Sequence, residues 1–265
     1  MPWKKKGVIS MLSYNNSYID IKKTSPQVAI LGIASIEKHG NHLPVGTDYI
    51  ITEEITKRVT KELNEKIYLL PTFPFGTSIG HAGTGGTIYM KYSTLMKVIK
   101  DLVESLYYQG INKVVLINNH GRAGGSCIVP QGNYITKTAV RQLNYEYPES
   151  SVIWVQPFSE AGEDLLKIFD SCEHDVHAGE IETSLMLFLE EKMVKKQKDG
   201  NIPDFSVEFL NYLPFNQISK DSVWGKPELG SFEKGEKALN ILVQKTVEYI
   251  KNTFEQLDKM KSNKI

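Results

Sequence analysis

The sequence predicts an α/β fold of three layers, α/β/α, in which a mostly parallel central sheet lies between helices. Two observations support this prediction. Short runs rich in Val, Ile and Leu recur along the chain, and amphipathic helical patterns separate them. Because parallel strands need a crossover that is usually a helix, this alternation is typical of a parallel sheet covered on both faces. We expect one domain over residues 1–265, since this length does not require two.

The individual elements follow from these patterns. Apolar runs bounded by Gly, Asn or Pro predict strands at Val28–Ala34, Ile67–Thr72, Lys113–Ile117 and Val152–Val155. Helical spacing predicts helices at Tyr49–Asn64, at Leu95–Tyr108, from Gly179 to about Glu191, and from Phe232 to about Lys259. The irregular stretch Asn201–Gly230 is longer than a usual connection. We expect it to form part of a site or of a subunit contact.

Composition and charge exclude several function classes. Lys plus Arg and Asp plus Glu number 31 each, so the formal net charge is zero, and neither nucleic acid nor an anionic membrane is an expected partner. No stretch is apolar enough to span a bilayer. The chain has only Cys127 and Cys172, without CxxC spacing, and we interpret both as thiols in a reducing compartment. We therefore predict a cytoplasmic protein.

The richest group of metal-binding side chains follows the first predicted strand. Glu37, His39, His42 and Asp48 lie within twelve residues. Carboxylate oxygens and imidazole nitrogens hold Zn²⁺, Mn²⁺ or Fe²⁺ in catalytic sites. The carboxyl end of a strand is where open α/β sheets bind ligands, so we predict a metal site here. The alternative is a turn in which Glu37 and Asp48 are solvated, His39 packs, and Asp48 caps the following helix.

A second candidate ligand, His120, follows the predicted strand Lys113–Ile117 and therefore reaches the same edge of the sheet. A lone histidine after a strand is more often a packing or hydrogen-bonding residue. Its convergence with the first cluster favours a role in the site. Arg122, two residues later, is a candidate for binding a substrate carboxylate or phosphate. It is equally compatible with a surface cation or with a partner for an acidic side chain.

A third cluster lies at the start of the helix that follows Gly179. On a helical wheel Glu182 falls on the apolar side, whereas Glu180 and Thr183 fall on the polar side. An unpaired carboxylate on an apolar face is costly, and either a metal ion or an Arg or Lys from elsewhere would neutralise Glu182. His177 precedes this helix. It is suited to act as an acid or base, or else to bond a backbone carbonyl at the helix entry.

The glycine-rich segment Phe75–Thr87 lies between the second strand and the next helix. It lacks the Gly-Lys-Ser/Thr ending of a phosphate-binding loop. Because glycine lets the backbone approach a ligand closely, we interpret it as a substrate loop, with Ser78 and His81 as its candidate binding residues. An ordinary flexible loop is nearly as compatible with this composition.

In their order along the chain, these clusters resemble the creatininase family of metal-dependent amidohydrolases. The resemblance rests on three motifs within residues 28–184: Glu37-x-His39-Gly40-x-His42-Leu43-Pro44-x-Gly46-Thr47-Asp48, Asn119-His120-Gly121, and His177-Ala178-Gly179-x-x-Glu182-Thr183-Ser184. The family's fold is similar to the sheet predicted above, and its members often assemble as hexamers. The resemblance therefore implies a homo-oligomer.

The resemblance also implies a site with two divalent ions, Zn²⁺ and/or Mn²⁺, with Fe²⁺ as a third candidate. Asp48 would bridge the ions, Glu37 and His120 would bind one of them, and His39 and Glu182 would bind the other. His177 would be the catalytic acid/base. The implied activity is hydrolysis of a non-peptide C–N bond, in a cyclic amide or a formamide of a small molecule, by metal-activated water.

Two departures from the family pattern argue against creatinine as the substrate. Arg122 stands where creatinine-hydrolysing relatives carry a carboxylate, and Cys172-Glu173-His174 stands where they carry an aromatic residue. In addition, Thr84-Gly85-Gly86-Thr87 replaces the usual Phe-Pro-Gly-Thr, which implies a different pocket wall. The alternatives are a peptidase or a deformylase of cofactor biosynthesis on the same metals, and a metal-binding protein without catalysis. Retention of His177 beside all five candidate ligands argues against the last of these.

Overall fold

The computed structural model describes residues 11–63, 66–120, 134–196, 199–219 and 221–263. Within these ranges the strands are β1 (Met11–Ser13), β2 (Val28–Ile33), β3 (Ile67–Leu69), β4 (Lys113–Asn118) and β5 (Ser151–Val155). They form one parallel sheet in the order β1-β3-β2-β4-β5. This confirms the predicted α/β class with a parallel central sheet.

The helices within the described ranges are α1 (Tyr18–Thr24), α2 (Thr47–Leu63), α3 (Tyr92–Tyr107), α4 (Tyr134–Glu146), α5 (Pro157–Glu160), α6 (Gly162–Leu165), α7 (Glu180–Glu190), α8 (Phe215–Ile218) and α9 (Phe232–Ser262). Short 3-10 helices lie at Ile79–His81, Cys172–His174, Glu191–Met193, Val207–Asn211 and Pro227–Leu229. All four helices that the sequence predicted are present, as α2, α3, α7 and α9. The predicted strands correspond to β2 to β5.

The strand order places a crevice beside the central strand β2. The chain leaves β2 for β3 on one side, and it then crosses back to form β4 on the other side. Ligands bind at such a switch point in open α/β sheets, outside the carboxyl ends of the strands. The register pairs Ile33 with Asn118, the last residues of β2 and β4. Residues that follow the two strands therefore emerge next to one another.

Helices cover both faces of the sheet. All six residues of β2 are buried, and its five apolar side chains are divided between two hydrophobic cores. Val28 and Ile30 point into the core formed with α2, α7 and α9, whereas Ala29, Leu31 and Ile33 point into the core formed with α3 and α4. A strand buried on both faces reads as a continuous apolar run, which is why β2 was evident from the sequence.

Helix α9 packs closely against the first turns of α7. A Cβ at Gly235 would lie 2.0 Å from the carbonyl oxygen of Ser184. The backbone N–H of Ser231 donates to Ser184 Oγ at 3.0 Å, and Lys234 forms an ion pair with Glu180. Only a residue without a side chain fits at position 235. These contacts therefore fix the first turns of α7 relative to α9.

This contact corrects the helical-wheel interpretation of α7. Glu180 and Thr183 were placed on a polar side, but both are buried. Glu180 is completely covered, and its carboxylate accepts hydrogen bonds from the backbone N–H of Ser171, at 2.8 Å, and from Lys234. Lys234 of α9 covers Glu180, and His42 contacts Thr183, so the whole first half of α7 lies in the interior.

The prediction of two thiols is wrong for Cys172, which is buried and disulfide-bonded. Cys127 lies outside the described residues. The cysteines therefore no longer favour a reducing compartment, and the cytoplasmic location remains a prediction. In the described part of the chain, no helix is both long and apolar enough to cross a membrane.

Replacing Gly235 with alanine should destabilise the protein. Alanine usually stabilises a helix interior by about 1 kcal/mol relative to glycine. Here the added Cβ would meet the Ser184 carbonyl, and overpacking of this kind costs about 1–3 kcal/mol. Urea denaturation should show a lower free energy of unfolding for Gly235→Ala. Lys237→Ala, at an exposed position of the same helix, should stay within about 0.5 kcal/mol of the wild type. A Gly235→Ala protein of wild-type stability would contradict this packing.

Candidate active site

His39 is the histidine whose burial, tautomer and orientation define the first part of the site. It lies just beyond β2, is 1% exposed, and its Nδ1–H donates to the carbonyl oxygen of Glu37 at 3.0 Å. This bond fixes the tautomer and directs Nε2 into the protein, where that nitrogen has no hydrogen-bond partner. Nε2 lies 3.6 Å from Asp48 Oδ1 and 3.8 Å from Glu182 Oε2. A buried nitrogen is thus oriented between two carboxylates.

Asp48 connects this histidine with the second one. It lies in the first turn of α2 and is 3% exposed. Its Oδ1 faces His39, whereas its Oδ2 lies 3.2 Å from His120 Nδ1. The same nitrogen of His120 is 3.4 Å from Glu37 Oε2. The two oxygens of one carboxylate therefore face two different imidazoles, one reached from β2 and the other from β4.

Two serines orient Glu37. Ser35 Oγ donates to Glu37 Oε2 at 3.0 Å. The hydroxyls of Ser35 and Ser78 are also hydrogen-bonded to each other. Since the single hydroxyl proton of Ser35 goes to Glu37, Ser78 is the donor to Ser35. The other carboxylate oxygen, Oε1, lies 3.6 Å from His81 Nε2 and 3.8 Å from His177 Nδ1.

A left-handed residue sets the geometry where α7 begins. Ala178 has a φ of 51°, although only glycine adopts such a conformation readily. Its backbone N–H donates to Glu182 Oε2 at 2.6 Å. The preceding residue, His177, exchanges backbone hydrogen bonds with Trp224, in the irregular stretch before α9. The strained turn therefore brings His177 and Glu182 to the same side of the chain.

His177 has the same kind of anchor as His39. Its Nε2–H donates to the carbonyl oxygen of Lys38 at 2.8 Å, which leaves Nδ1 as the nitrogen with a lone pair. The imidazole ring lies 4.3 Å from that of His39 and 4.8 Å from that of His81, centroid to centroid. The sequence predicts a position at the site for His177 and places His81 on a substrate loop beside it. In the structure the two rings lie next to each other.

The sequence also gave no indication of Phe215. This residue of α8 stacks on His81, with centroids 4.8 Å apart and planes at 20°, and it lies 5.0 Å from the ring of His177. It is 5% exposed. The only signal in the sequence was the unusual length of the stretch Asn201–Gly230. That stretch does contribute to the site, through Phe215 and through Trp224.

The buried charges shift the pKa values of these groups in opposite directions. Burial lowers the pKa of His39, but the carboxylates of Asp48 and Glu182 outweigh it and raise that pKa to about 10. Burial likewise opposes protonation of His120, but Glu37 and Asp48 raise its pKa to about 9. Burial raises the pKa of Glu37, yet His120 and His81 bring it down to about 2. The Glu37 carboxylate and the imidazoles of His39 and His120 thus favour their charged forms.

His177 and His81 respond differently. Burial and the neighbouring His39 lower the pKa of His177. Burial, reinforced by His177 and opposed by Glu37, lowers the pKa of His81 to about 3. Both imidazoles are therefore neutral near pH 7. A neutral imidazole with a fixed N–H and a free lone pair is suited to accept a proton.

The arrangement fits divalent metal ions. Ligand atoms that lie within 4.8 Å of one another form three triads: Glu37 with His39 and Asp48, His39 with His177 and Glu182, and Glu37 with His81 and His177. His120 belongs to none of these triads, but its distances to Asp48 and Glu37 are the shortest histidine–carboxylate distances in the site.

The distances and the outer contacts support the same conclusion. Bonds of roughly 2.0–2.2 Å in a tetrahedral site place ligand atoms roughly 3.3–3.6 Å apart. The His39–Asp48 and His120–Glu37 separations, 3.6 and 3.4 Å, are of this size. Metal-binding histidines also donate their other ring N–H to a carbonyl or carboxylate, as His39 does here. Nε2 of His39 has no hydrogen-bond partner, and it is therefore oriented to bind a cation.

A cleft of about 610 Å³ opens onto these groups. Its floor includes Glu37, Asp48, His120, His177 and Glu182. The described lining contains no Lys or Arg, and much of the wall is aromatic or aliphatic: Tyr92, Tyr134, Ile135, Leu210, Tyr212 and Phe215. A volume of this size suits a ligand larger than a solvent molecule or an ion.

Other residues singled out in the sequence have different positions. His42 is buried away from the cleft, and its Nε2 forms a hydrogen bond with Thr183 Oγ1 at 3.0 Å. Ser78 and His81 line the cleft, so their role in substrate binding remains a prediction. Arg122 lies outside the described residues. The solvated turn considered for Glu37 and Asp48 is wrong, since both carboxylates are buried.

Comparison with known proteins agrees with this geometry. A family model for creatininase, described as creatinine amidohydrolase, matches residues 16–250. The chain belongs to the creatininase family. A creatinine amidohydrolase of Pseudomonas putida is 23% identical over 240 residues, which cover 86% of this chain and 90% of the relative. A mycofactocin precursor peptide peptidase of Mycobacterium tuberculosis is 25% identical over 256 residues, covering 91% and 90%.

Solved structures of the family share the fold. A Bacteroides fragilis protein provisionally named creatinine amidohydrolase superposes with a TM-score of 0.75 at 25% identity, over 91% of this chain and 96% of that one. A mutant creatininase of the Zn–Zn type has a TM-score of 0.71 at 20% identity, over 94% and 99%. A structure named creatininase Mn has a TM-score of 0.71 at 19% identity, over 92% and 99%.

In the metal-free protein, the raised pKa values should couple stability to pH. A histidine whose pKa rises on folding, from 6.5 for His39 to about 10, stabilises the fold fully below pH 6.5 and loses that contribution as the pH rises through its folded value. After treatment with chelator, the free energy of unfolding should therefore fall between pH 6.5 and about 10. His39→Gln should fall less steeply in urea denaturation, while His174→Gln, at an exposed position, should follow the wild type. Parallel curves for all three proteins would contradict these charge interactions.

Proposed function

We propose that the protein is a metal-dependent amidohydrolase that cleaves a non-peptide C–N bond, in a cyclic amide or a formamide. One observation carries this proposal. Asp48 presents one carboxylate oxygen to His39 and the other to His120, so a single side chain can serve two cation positions. Together with the family membership, this favours a two-ion site over a single structural ion, which has four closed protein ligands.

Five residues would hold the ions. Glu37 and His120 would bind one ion, His39 and Glu182 would bind the other, and Asp48 would bridge them. When bound, divalent ions lower the pKa of a bound water toward neutrality and polarise a carbonyl oxygen. Zn²⁺ and Mn²⁺ are the candidates, because imidazole and carboxylate together suit both ions. Fe²⁺ satisfies the same donors.

The protein's own residues would position and protonate the substrate. The neutral His177 can take up a proton at Nδ1, since its Nε2–H is held by the Lys38 carbonyl. It could then deliver this proton to the leaving nitrogen of the amide. Phe215, stacked on His81 and beside His177, covers that side of the site with an apolar ring. Ser35 and Ser78 fix the orientation of Glu37.

A peptidase on the same metals is the second candidate. The cleft of about 610 Å³ is open enough for a short peptide, and one relative bears the name of a peptide peptidase. Assays of small lactams and formamides beside short peptides would discriminate the two. Rapid cleavage of peptides with no turnover of small amides would favour the peptidase.

Replacing Asp48 with asparagine should remove both ions. The amide retains one weak oxygen ligand and loses the charge that balances two cations. By plasma mass spectrometry of protein prepared without chelator, the wild type should contain about two divalent ions per chain and Asp48→Asn almost none. Asp101→Asn, which removes an exposed carboxylate from α3, should retain both ions. Full metal content and activity in Asp48→Asn would refute the bridging role.

Replacing His177 with glutamine separates an acid/base from a ligand. If His177 transfers protons, His177→Gln should retain both ions while kcat on the amide substrate falls by roughly 10²–10⁴. His174→Gln, at an exposed position three residues earlier, should keep the wild-type kcat. Loss of one ion per chain in His177→Gln would instead assign His177 to the metal, through its triads with Glu37 and with His39.

A further inference from the structure

Asn119 is a buried polar residue with no role in the site described above. It follows β4 directly, is 3% exposed, and lines the cleft. Its Oδ1 and its Nδ2 are both buried, and neither has a hydrogen-bond partner. The neighbouring Asn118 is the opposite case. Its Nδ2 donates to Thr136 Oγ1 at 3.0 Å, and its Oδ1 accepts from the backbone N–H of His120 at 3.0 Å.

The lack of partners at Asn119 points to a ligand. Buried polar atoms in proteins are almost always hydrogen-bonded, and a buried donor or acceptor without a partner is destabilising. The carboxamide of Asn119 has a buried donor and a buried acceptor, both without partners. It lines the same cleft as the candidate metal ligands. Asn118 shows that this part of the chain can satisfy an asparagine fully when its role is structural.

The chemistry of a carboxamide defines what would satisfy it. Its oxygen accepts and its NH₂ group donates, side by side in one plane. The complement is a group that offers an N–H and a C=O on the same edge. An amide in the cis arrangement, as in a lactam ring, and a primary amide both do so. An open-chain secondary amide is trans, so its N–H and C=O point in opposite directions, and it can satisfy only one atom of the pair.

We propose that Asn119 is a substrate-binding residue that selects cyclic or primary amides through paired hydrogen bonds. This inference rests on the proposed function, because it concerns the substrate of the same site. The described cleft contains no Lys or Arg, and its wall includes Tyr134, Ile135, Tyr212 and Phe215. The substrate class is therefore a cyclic or primary amide whose apolar or aromatic body packs against this wall.

Three related probes test the proposal by binding alone. Isoindolin-1-one is an aromatic lactam with the N–H and C=O on one edge, N-methylisoindolin-1-one lacks the N–H, and N-methylbenzamide is the open-chain trans analogue. In calorimetric titrations of the zinc-loaded wild type, the lactam should bind roughly tenfold more tightly than either analogue. Hydrolysis in the same samples, followed by liquid chromatography, reports on the proposed function separately.

Variants locate the preference at Asn119. Asn119→Leu keeps the branched shape of the side chain but removes both polar atoms, so it should bind all three probes with similar affinity. Gln156→Met is the matched control, because Gln156 is also buried with a partnerless Nε2 but does not line the cleft. It should retain the tenfold preference.

The outcomes separate the two claims. Equal affinity of the wild type for the three probes, no binding of the lactam, or a preference that survives in Asn119→Leu would each overturn the role of Asn119. Where Asn119→Leu does not fold, equal affinities of the wild type for the three probes would still overturn the role of Asn119. A clear preference in the wild type that is lost in Asn119→Leu, without hydrolysis of any amide, would count against the proposed reaction while supporting the recognition by Asn119.

Discussion

Three carboxylates are buried together in the site, and their charge determines which side chains must surround them. Glu37, Asp48 and Glu182 are each at most 5% exposed, and all three lie within reach of His39 or His120. Buried anions repel one another and lose their hydration, so they persist only when cations compensate them. In the metal-free chain, protonated histidines provide this compensation. Divalent ions would provide more of it, and they would do so at the position where the partnerless nitrogen of His39 is directed.

The fold concentrates these carboxylates by bringing three elements to one edge of the sheet. The end of β2 supplies Glu37, the first turn of α2 supplies Asp48, and the first turn of α7 supplies Glu182. The α2 terminus is favourable for an anion because the helix dipole is positive there. The placement of α7 depends on the strained turn at Ala178 and on the close contact of Gly235 with Ser184. The packing of α9 against α7, outside the cleft, therefore also determines where Glu182 lies within the cleft.

Local signals in the sequence were sufficient for strands β2 to β5 and for the buried side chains that could bind metal. β2 and β4 are continuous apolar runs, so their ends could be located, and Glu182 stood out because it interrupts an apolar face. The edge strand β1 has only three residues, and α1 buries none of its side chains, so neither produced a periodic signal. The burial of Glu180 could not be seen in α7 alone, since α9 causes it.

Features that depend on contacts between residues far apart in the sequence could not be predicted from sequence patterns. Phe215 joins His81 and His177 from an irregular stretch, where spacing carries no information about direction. The same holds for Asn119. Its residue type was evident, but its lack of partners is a property of the packed structure. The groups that could bind metal were thus evident from the sequence, whereas the places of Phe215 and Asn119 in the cleft wall were evident only from the structure.

Anomalous diffraction from zinc-soaked crystals, recorded on both sides of the zinc absorption edge, would locate the ions in the site. Two zinc peaks that share Asp48 are expected in each chain, one bound by Glu37 and His120 and the other by His39 and Glu182. A single peak, or a peak held by Glu37, His81 and His177 with Asp48 unbound, would contradict the bridged two-metal site.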